Sequence, residues 1–428
     1  MKQSIYTRMY LLVILATLIL TSCSQLSAEA RVVESDLPRD TSPSVDPADL
    51  DELVEGNQAF ALDLLQALLE EEDGNLFYSP YSISQALAMT YVGTRNVTEQ
   101  EMAEVLHFTL AQDRLHPAFN ALDLSLSSYG EAVGSEAERG FQLYIANSIW
   151  GQKGFEFLPE FLDRLAENYG AGLRLLDFGA DPEKARQIIN KWVSDQTEEK
   201  IKDLLREGIL DSGTRLVLAN AIYFNADWLY PFEEGNTYEG DFVLLDGSTR
   251  PVAMMSQVKG FPYAQGEDYQ AIALPYVGGD MEMVIFLPVE GRYDDFESSL
   301  DGEKLREILG RFEMEGVSLS LPKFEFESEF SLSEILIKMG MPSAFGAEAD
   351  FSGINGNKNL AIKDVVHKSF ISVDERGTEA AAATAVIMVE SAMEPAVTMT
   401  VDRPFIFMIR EVETGAILFL GRVMDPAE

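Results

Sequence analysis

Three histidines, His107, His116 and His367, and one cysteine, Cys23, are the scarce base and thiol side chains in a chain of 428 residues. A Ser-His-Asp site needs one histidine within reach of a serine and a carboxylate, and counting alone does not exclude it. No G-x-S-x-G elbow, H-E-x-x-H pair, G-x-x-x-x-G-K loop or C-x-x-C pair occurs, however. His107 and His116 are expected at a helix end and in a loop. The expectation is a protein that is not an enzyme and that carries no metal or cofactor.

The segment whose spacing is most unusual is Glu375-Arg376-Gly377-Thr378-Glu379-Ala380-Ala381-Ala382-Ala383-Thr384-Ala385-Val386, continuing from Ile387 to Thr400. Its alanines favour helix, whereas the β-branched residues and methionines after them favour strand. A segment with conflicting local preferences suits two conformations. Entered into a sheet as a strand, it presents Thr378, Ala380, Ala382, Thr384, Val386 and Met388 to one face, none of them charged. Glu379 opens the other set, which can remain in solvent. Gly377 is expected to supply backbone freedom at the turning point. An Ala-rich surface helix or linker fits this segment, taken alone, equally well.

Elements must exist to receive such a strand. Leu216 to Phe224 (LVLANAIYF) is apolar on both alternating faces except at Asn220, as a strand covered on both sides requires. Tyr269–Tyr276 with Met281–Pro288, and Phe405–Arg410 with Ala416–Val423, read as hairpins. The earlier chain is helical. Asn57 to Glu71 places Phe60, Leu64, Leu65 and Leu68 on one stripe, and Ser79-Pro80 and Asp181-Pro182 each open a helix. Thr98 and Glu101 are read as a capping box. Helices feeding many antiparallel strands give an α+β domain without repeats.

The composition bounds the setting. With 71 acidic against 32 basic residues the net charge is −39, which repels nucleic acid and anionic membrane surfaces and favours solubility in high salt. Lys2 and Arg8 precede the apolar run Leu11–Leu20, which is too short for a spanning anchor and fits a signal-peptide core. Leu20-Thr21-Ser22-Cys23 resembles the lipobox of bacterial lipoproteins, in which cleavage precedes a lipid-modified cysteine. Residues 1–22 are therefore expected to be a signal peptide, 23–49 a lipidated N-terminus and flexible tether, and 50–428 the folded domain. Display on the outer face of the cell envelope follows, with ordinary secretion as the alternative.

The hinge pattern GTEAAAAT at Gly377–Thr384 resembles that of the serpin family, the serine protease inhibitors. The likeness extends to NLFYSPYSI from Asn75 to Ile83, YVGTR from Tyr91 to Arg95, LANAIYF from Leu218 to Phe224 with Trp228, and LPKF from Leu321 to Phe324. DRPFIF from Asp402 to Phe407 and FLGRV from Phe419 to Val423 complete it. The resemblance runs from about residue 50 to the end.

It implies a serpin fold with large mixed sheets and an exposed reactive-centre loop, acting as a monomer on serine-type proteases, with cysteine proteases as a second target class. The protease attacks the loop, forms an acyl-enzyme, and the freed loop enters the sheet between the 216–224 strand and the strand ending near Asp374. From Thr378 to the candidate bond is about 14 residues, so at roughly 3.3 Å each the protease moves about 45 Å. The family's spacing from Glu375 places that bond between Ser391 and Ala392, while cleavage after Glu390, Ala392 or Met393 stays open. A small residue there suits elastase-like or subtilisin-like enzymes, and no Arg or Lys for a trypsin-like pocket lies between Arg376 and Arg403. The resemblance also places Ser79, Ser82, Asn220 and His367 beneath the opening sheet and Trp228 at the top of the slot. Satisfied core polar groups and plain core filling are the alternatives for these five. A non-inhibitory serpin-fold binding or chaperone module is the rival function, and bulky, proline or charged inward hinge residues would mark it; none is present.

Overall fold

The computed structural model of the protein describes residues 30–131, 142–378 and 396–427. By compactness the chain divides into residues 1–31 and 32–428, and the architecture below is that of the second unit. Its first half is mainly helical: α1 (Pro47–Leu69), α2 (Pro80–Tyr91), α3 (Asn96–Val105), α4 (Gln112–Glu131), α5 (Pro159–Tyr169) and α6 (Pro182–Gln196). Shorter helices follow among the later strands, α7 (Tyr293–Ser298), α8 (Gly302–Gly310), α9 (Ser333–Met339) and α10 (Ser352–Asn355).

Sheet A runs in the order β1 (Arg31–Val33), β4 (Leu173–Leu176), β3 (Gln142–Gln152), β5 (Leu216–Asp227), β13 (Gly377–Thr378), β12 (Ile362–Val373) and β11 (Phe324–Ser331). Sheet B runs β14 (Val397–Thr400), β10 (Glu313–Pro322), β7 (Thr249–Gln265), β8 (Tyr269–Pro275), β9 (Met281–Pro288), β15 (Phe405–Glu411), β16 (Ile417–Val423) and β2 (Leu76–Tyr78), with β6 (Tyr238–Val243) paired to β7. Both sheets are mixed, because β5 and β12 run parallel, as do β10 and β14. This is the α+β architecture that the sequence predicts, and both hairpins form as expected.

β5 is buried from Leu216 to Ala226, consistent with a strand whose two faces are both apolar. α2 explains one of those faces. Ser79 caps it by accepting from Ser82 N–H at 3.1 Å, Pro80 supplies the first helical residue, and the whole helix is buried against β3, β5 and β16. In α1, Phe60, Leu64, Leu65 and Leu68 are fully buried on one stripe, and Asp46 caps the helix, which begins at Pro47, ten residues before Asn57.

Three expectations need correction. The stretch up to Asp49 is not a free tether throughout: Arg39 bonds Asp123 at 2.6 Å and Asn120 at 2.8 Å, Asp40 N–H donates to Glu167 O at 2.9 Å, and Ser35 donates to Asp163. Polar side chains dock this segment on α4 and α5, so no apolar periodicity announces it. Thr98 and Glu101 form no capping box, because α3 starts at Asn96; they accept from Asp350 N–H at 3.0 Å and Ser343 N–H at 2.9 Å. His116 lies within α4, fully buried beside Tyr169, and not in a loop.

Candidate functional site

Two strands frame the site. β5 and β12 pair in parallel up to Tyr223 and Phe370, then part, and β13 stands between their upper ends. Gly377 faces Asp227 and Thr378 faces Ala226 on β5, while Thr378 faces Val373 on β12. The first two residues of the hinge therefore already occupy a strand position in sheet A.

Glycine at 377 answers a close approach. Its φ is not in the left-handed region, so the expected backbone freedom is not what the position uses. A Cβ there would overlap the Ala226 carbonyl oxygen and come within 2.8 Å of Asp227 Cα, both of them backbone. Thr378 is 1% exposed, and its hydroxyl shares a 2.7 Å hydrogen bond with Tyr276. Tyr276 in turn stacks on Trp228, ring centres 4.6 Å apart and planes 9° from parallel.

The turn leading into β13 is held from several sides. Trp228 donates its indole N–H to Asp374 O at 3.0 Å and its backbone N–H to Arg376 O at 2.7 Å. Phe232 N–H donates to Glu375 O at 2.7 Å. The Glu375 carboxylate accepts from Lys323 Nζ and Thr237 Oγ1, both at 2.7 Å. Burial works against its charge, yet these bonds hold the carboxyl below the usual carboxylate range. Trp228 thus acts as both filling and donor at the top of the slot.

Below the point where the strands part, the structure brings Ser79, Ser82, Asn220 and His367 together, all fully buried. His367 and Asn220 face each other across β12 and β5, and Asn220 faces Asn147 across β5 and β3. The His367 Nε2 atom accepts Ser79 N–H at 3.1 Å, so the neutral ring carries its proton on Nδ1, which donates to Asn220 Oδ1. Asn220 Nδ2 donates to Ser82 Oγ at 2.7 Å and to Asn147 Oδ1. Burial lowers the His367 pKa to about 3. With both nitrogens engaged and the ring enclosed, His367 has no role as a general base.

Several participants escaped sequence reasoning. Asn147 donates to Gln85 Oε1 at 2.8 Å, Gln85 donates to Asp123 at 2.9 Å, and Asp123 holds Arg39. The strand seam is thereby linked to the N-terminal segment through side chains far apart in sequence. The Lys200 ammonium lies 5.6 Å from the Tyr223 ring centre and 6.0 Å from that of Phe370, rings borne by β5 and β12. Tyr276, Lys323 and Thr237 carry no local signal either. Glu379, Ala380, Ala381, Ala382, Ala383, Thr384, Glu390, Ser391, Ala392, Met393 and Cys23 lie outside the described residues.

The family model described as Serpin (serine protease inhibitor) matches residues 55–426. The chain belongs to the serpin family. This serpin is 41% identical over 387 residues to the leukocyte elastase inhibitor of Sus scrofa, covering 88% of this chain and 100% of that one. It is also 41% identical over 403 residues to an uncharacterized serpin-like protein of Thermococcus kodakarensis, covering 91% and 92%. Among solved structures, native tengpin, a thermophilic serpin, superposes with a TM-score of 0.81 at 28% identity over 93% of this chain and 100% of that one. Uncleaved ovalbumin superposes with 0.78 at 27% identity over 88% and 100%.

Proposed function

We propose that this serpin inhibits serine-type proteases as a suicide substrate and has no catalytic activity of its own. The observation that carries the reading is β13: the hinge has already entered the gap between β5 and β12 at Gly377 and Thr378. Below it the two strands are held by their own ladder, by Lys200 and by the buried polar cluster, all of which a longer inserted strand has to displace. In the proposed sequence the protease serine attacks the carbonyl carbon before residue 392, the amine of that residue leaves with a proton, and an ester joins the loop to the enzyme. Insertion then carries the ester away before water cleaves it. The similarity to elastase inhibitors and the small residues Ser391 and Ala392 favour elastase-like or subtilisin-like targets.

The test is to incubate the purified protein with elastase-like, subtilisin-like, chymotrypsin-like and trypsin-like proteases and look for a complex stable to SDS. The first two should form it and the trypsin-like enzyme should not. Loop cleavage by all partners without any complex would assign the protein to the non-inhibitory binding or chaperone class. We also propose that Cys23 is acylated and anchors the protein outside the cytoplasm, a reading supported by the lipobox-like Leu20–Cys23. Cys23→Ala should release it from membranes, and a mature N-terminus found unmodified elsewhere would end the proposal.

A further inference from the structure

We infer that Asp123 is a positioning residue for loop insertion: its carboxylate sets the direction of a hydrogen-bond relay that runs to His367 and holds β3 beside the seam. As a role in trapping, this rests on the inhibitory reading. The relay starts on α4, where Asp123 Oδ2 accepts from Arg39 at 2.6 Å, and Oδ1 accepts from the Tyr81 hydroxyl at 3.1 Å and from Gln85 Nε2 at 2.9 Å. An ionised carboxylate only accepts, so the buried Gln85 amide must turn its nitrogen toward Asp123. The Gln85 oxygen then faces Asn147, which has to present Nδ2, at 2.8 Å. That Nδ2 also donates to the Ser82 backbone carbonyl at 3.1 Å. Asn147 Oδ1 is left to accept from Asn220 Nδ2 and the Ser82 hydroxyl, and Asn220 Oδ1 to accept the Nδ1 proton of His367. At the far end the Ser79 N–H, which only donates, meets His367 Nε2 at 3.1 Å. A pure acceptor at one end and a pure donor at the other thus impose the same order on Gln85, Asn147, Asn220 and His367. Turning any one of them over would set two donors or two acceptors face to face in a buried site, where an unmade bond is costly.

The relay opposes the movement that insertion requires. For a strand to pass the level of Asn220 and His367, β5 has to separate from β12, and β3 travels with β5 because the two are paired from Gln142 to Gly151. Asn147 pins β3 to α2 through the Ser82 carbonyl and Gln85, and Asp123 pins α2 to α4 through Gln85 and Tyr81. Arg39 supplies the counter-charge for a carboxylate whose side chain is 17% exposed. The seam is therefore held from the β3 side by a chain of bonds whose order depends on one charge. Asp123 acts as a brake on opening, through Gln85 and Asn147.

The experiment uses two variants of the whole protein. Asp123→Asn keeps the shape of the side chain but puts a donor where the relay needs an acceptor, and Gln85→Met keeps bulk while removing the amide. At saturating concentrations of whichever protease the wild-type protein traps, each should raise the limiting rate of SDS-stable complex formation by about tenfold. The double variant should be no faster than either single one, because both break the same relay, whereas two unconnected packing defects would multiply. A second readout needs no protease. The chain has three histidines, so the imidazole nitrogen resonances of His367 can be assigned by comparison with His367→Gln. In Asp123→Asn they should move, while those of His107, whose partner is Asp63, stay in place. Should one variant fail to fold, the other carries both readouts. A limiting rate that is unchanged or slower, a multiplicative double variant, or unmoved His367 resonances would overturn the relay and leave the inhibitory reading intact. No complex from the wild-type protein with any protease would overturn the inhibitory reading, and the His367 resonances would then decide the relay by themselves.

Discussion

Replacing Gly377 by alanine should expel the hinge from sheet A. The added Cβ overlaps the carbonyl oxygen of Ala226 and approaches Asp227 Cα, both backbone atoms of β5, which is anchored by its pairing with β3 up to the preceding residue, Asn225. Leaving the sheet breaks the Tyr276–Thr378, Asp374–Gly377 and Trp228–Arg376 hydrogen bonds. At about 1 kcal/mol each, the loss is about 3 kcal/mol. For an unfolding entropy of about 2.1 cal/mol/K per residue over some 370 residues, the melting midpoint should fall by about 4 °C. Differential scanning calorimetry of the uncleaved protein reads the midpoint, and acrylamide quenching of tryptophan emission reads the uncovering of Trp228. A Gly377→Ala protein with unchanged midpoint and unchanged quenching would refute the close-approach reasoning.

Acid should destabilise the fold through its buried histidines. Burial lowers His367 and His116 to about 3, against 6.5 in the unfolded chain, so between those values the unfolded chain binds protons that the fold does not. Their contribution is fully present above pH 6.5 and declines as pH falls toward 3, by up to roughly 1.4 kcal/mol per pH unit for each. His367→Gln should remove one such share of the slope in urea titrations from pH 6 to 4, and an unaltered slope would show that His367 titrates freely. Thr378→Arg should turn the inhibitor into a substrate, since a guanidinium cannot occupy the 1% exposed position against Tyr276. Stable complexes at wild-type stoichiometry would contradict that.

The parts legible in the sequence were those coded locally. The double-sided apolar run of β5, the leucine stripe of α1, the Ser79-Pro80 cap and the two hairpins each follow from neighbouring residues. Contacts between distant residues were hidden. Glu375 finds Lys323 and Thr237, and Asn147 finds both Ser82 and Asn220, through topology alone. Residues 35–40 read as tether because hydropathy patterns report buried apolar area, whereas this segment docks through Arg39 and backbone groups. Gly377 was visible as a hinge glycine, but its reason, the backbone of β5 in contact, appears only in three dimensions.

The central claim is that the loop following Thr378 enters sheet A once it is cut. In the uncleaved protein, Gly377 and Thr378 are the described residues of the hinge that stand between β5 and β12. Each further inserted residue gains ladder hydrogen bonds, and Val386 and Met388 would each gain roughly 1.5–3 kcal/mol if fully covered. The decisive measurement is to nick the purified protein with an elastase-like protease, confirm by mass that the cut lies between Glu390 and Met393, and compare melting curves with intact material. A large rise in midpoint without any added residue is the expected result, whereas an unchanged midpoint after verified cleavage would contradict insertion and, with it, the inhibitory mechanism.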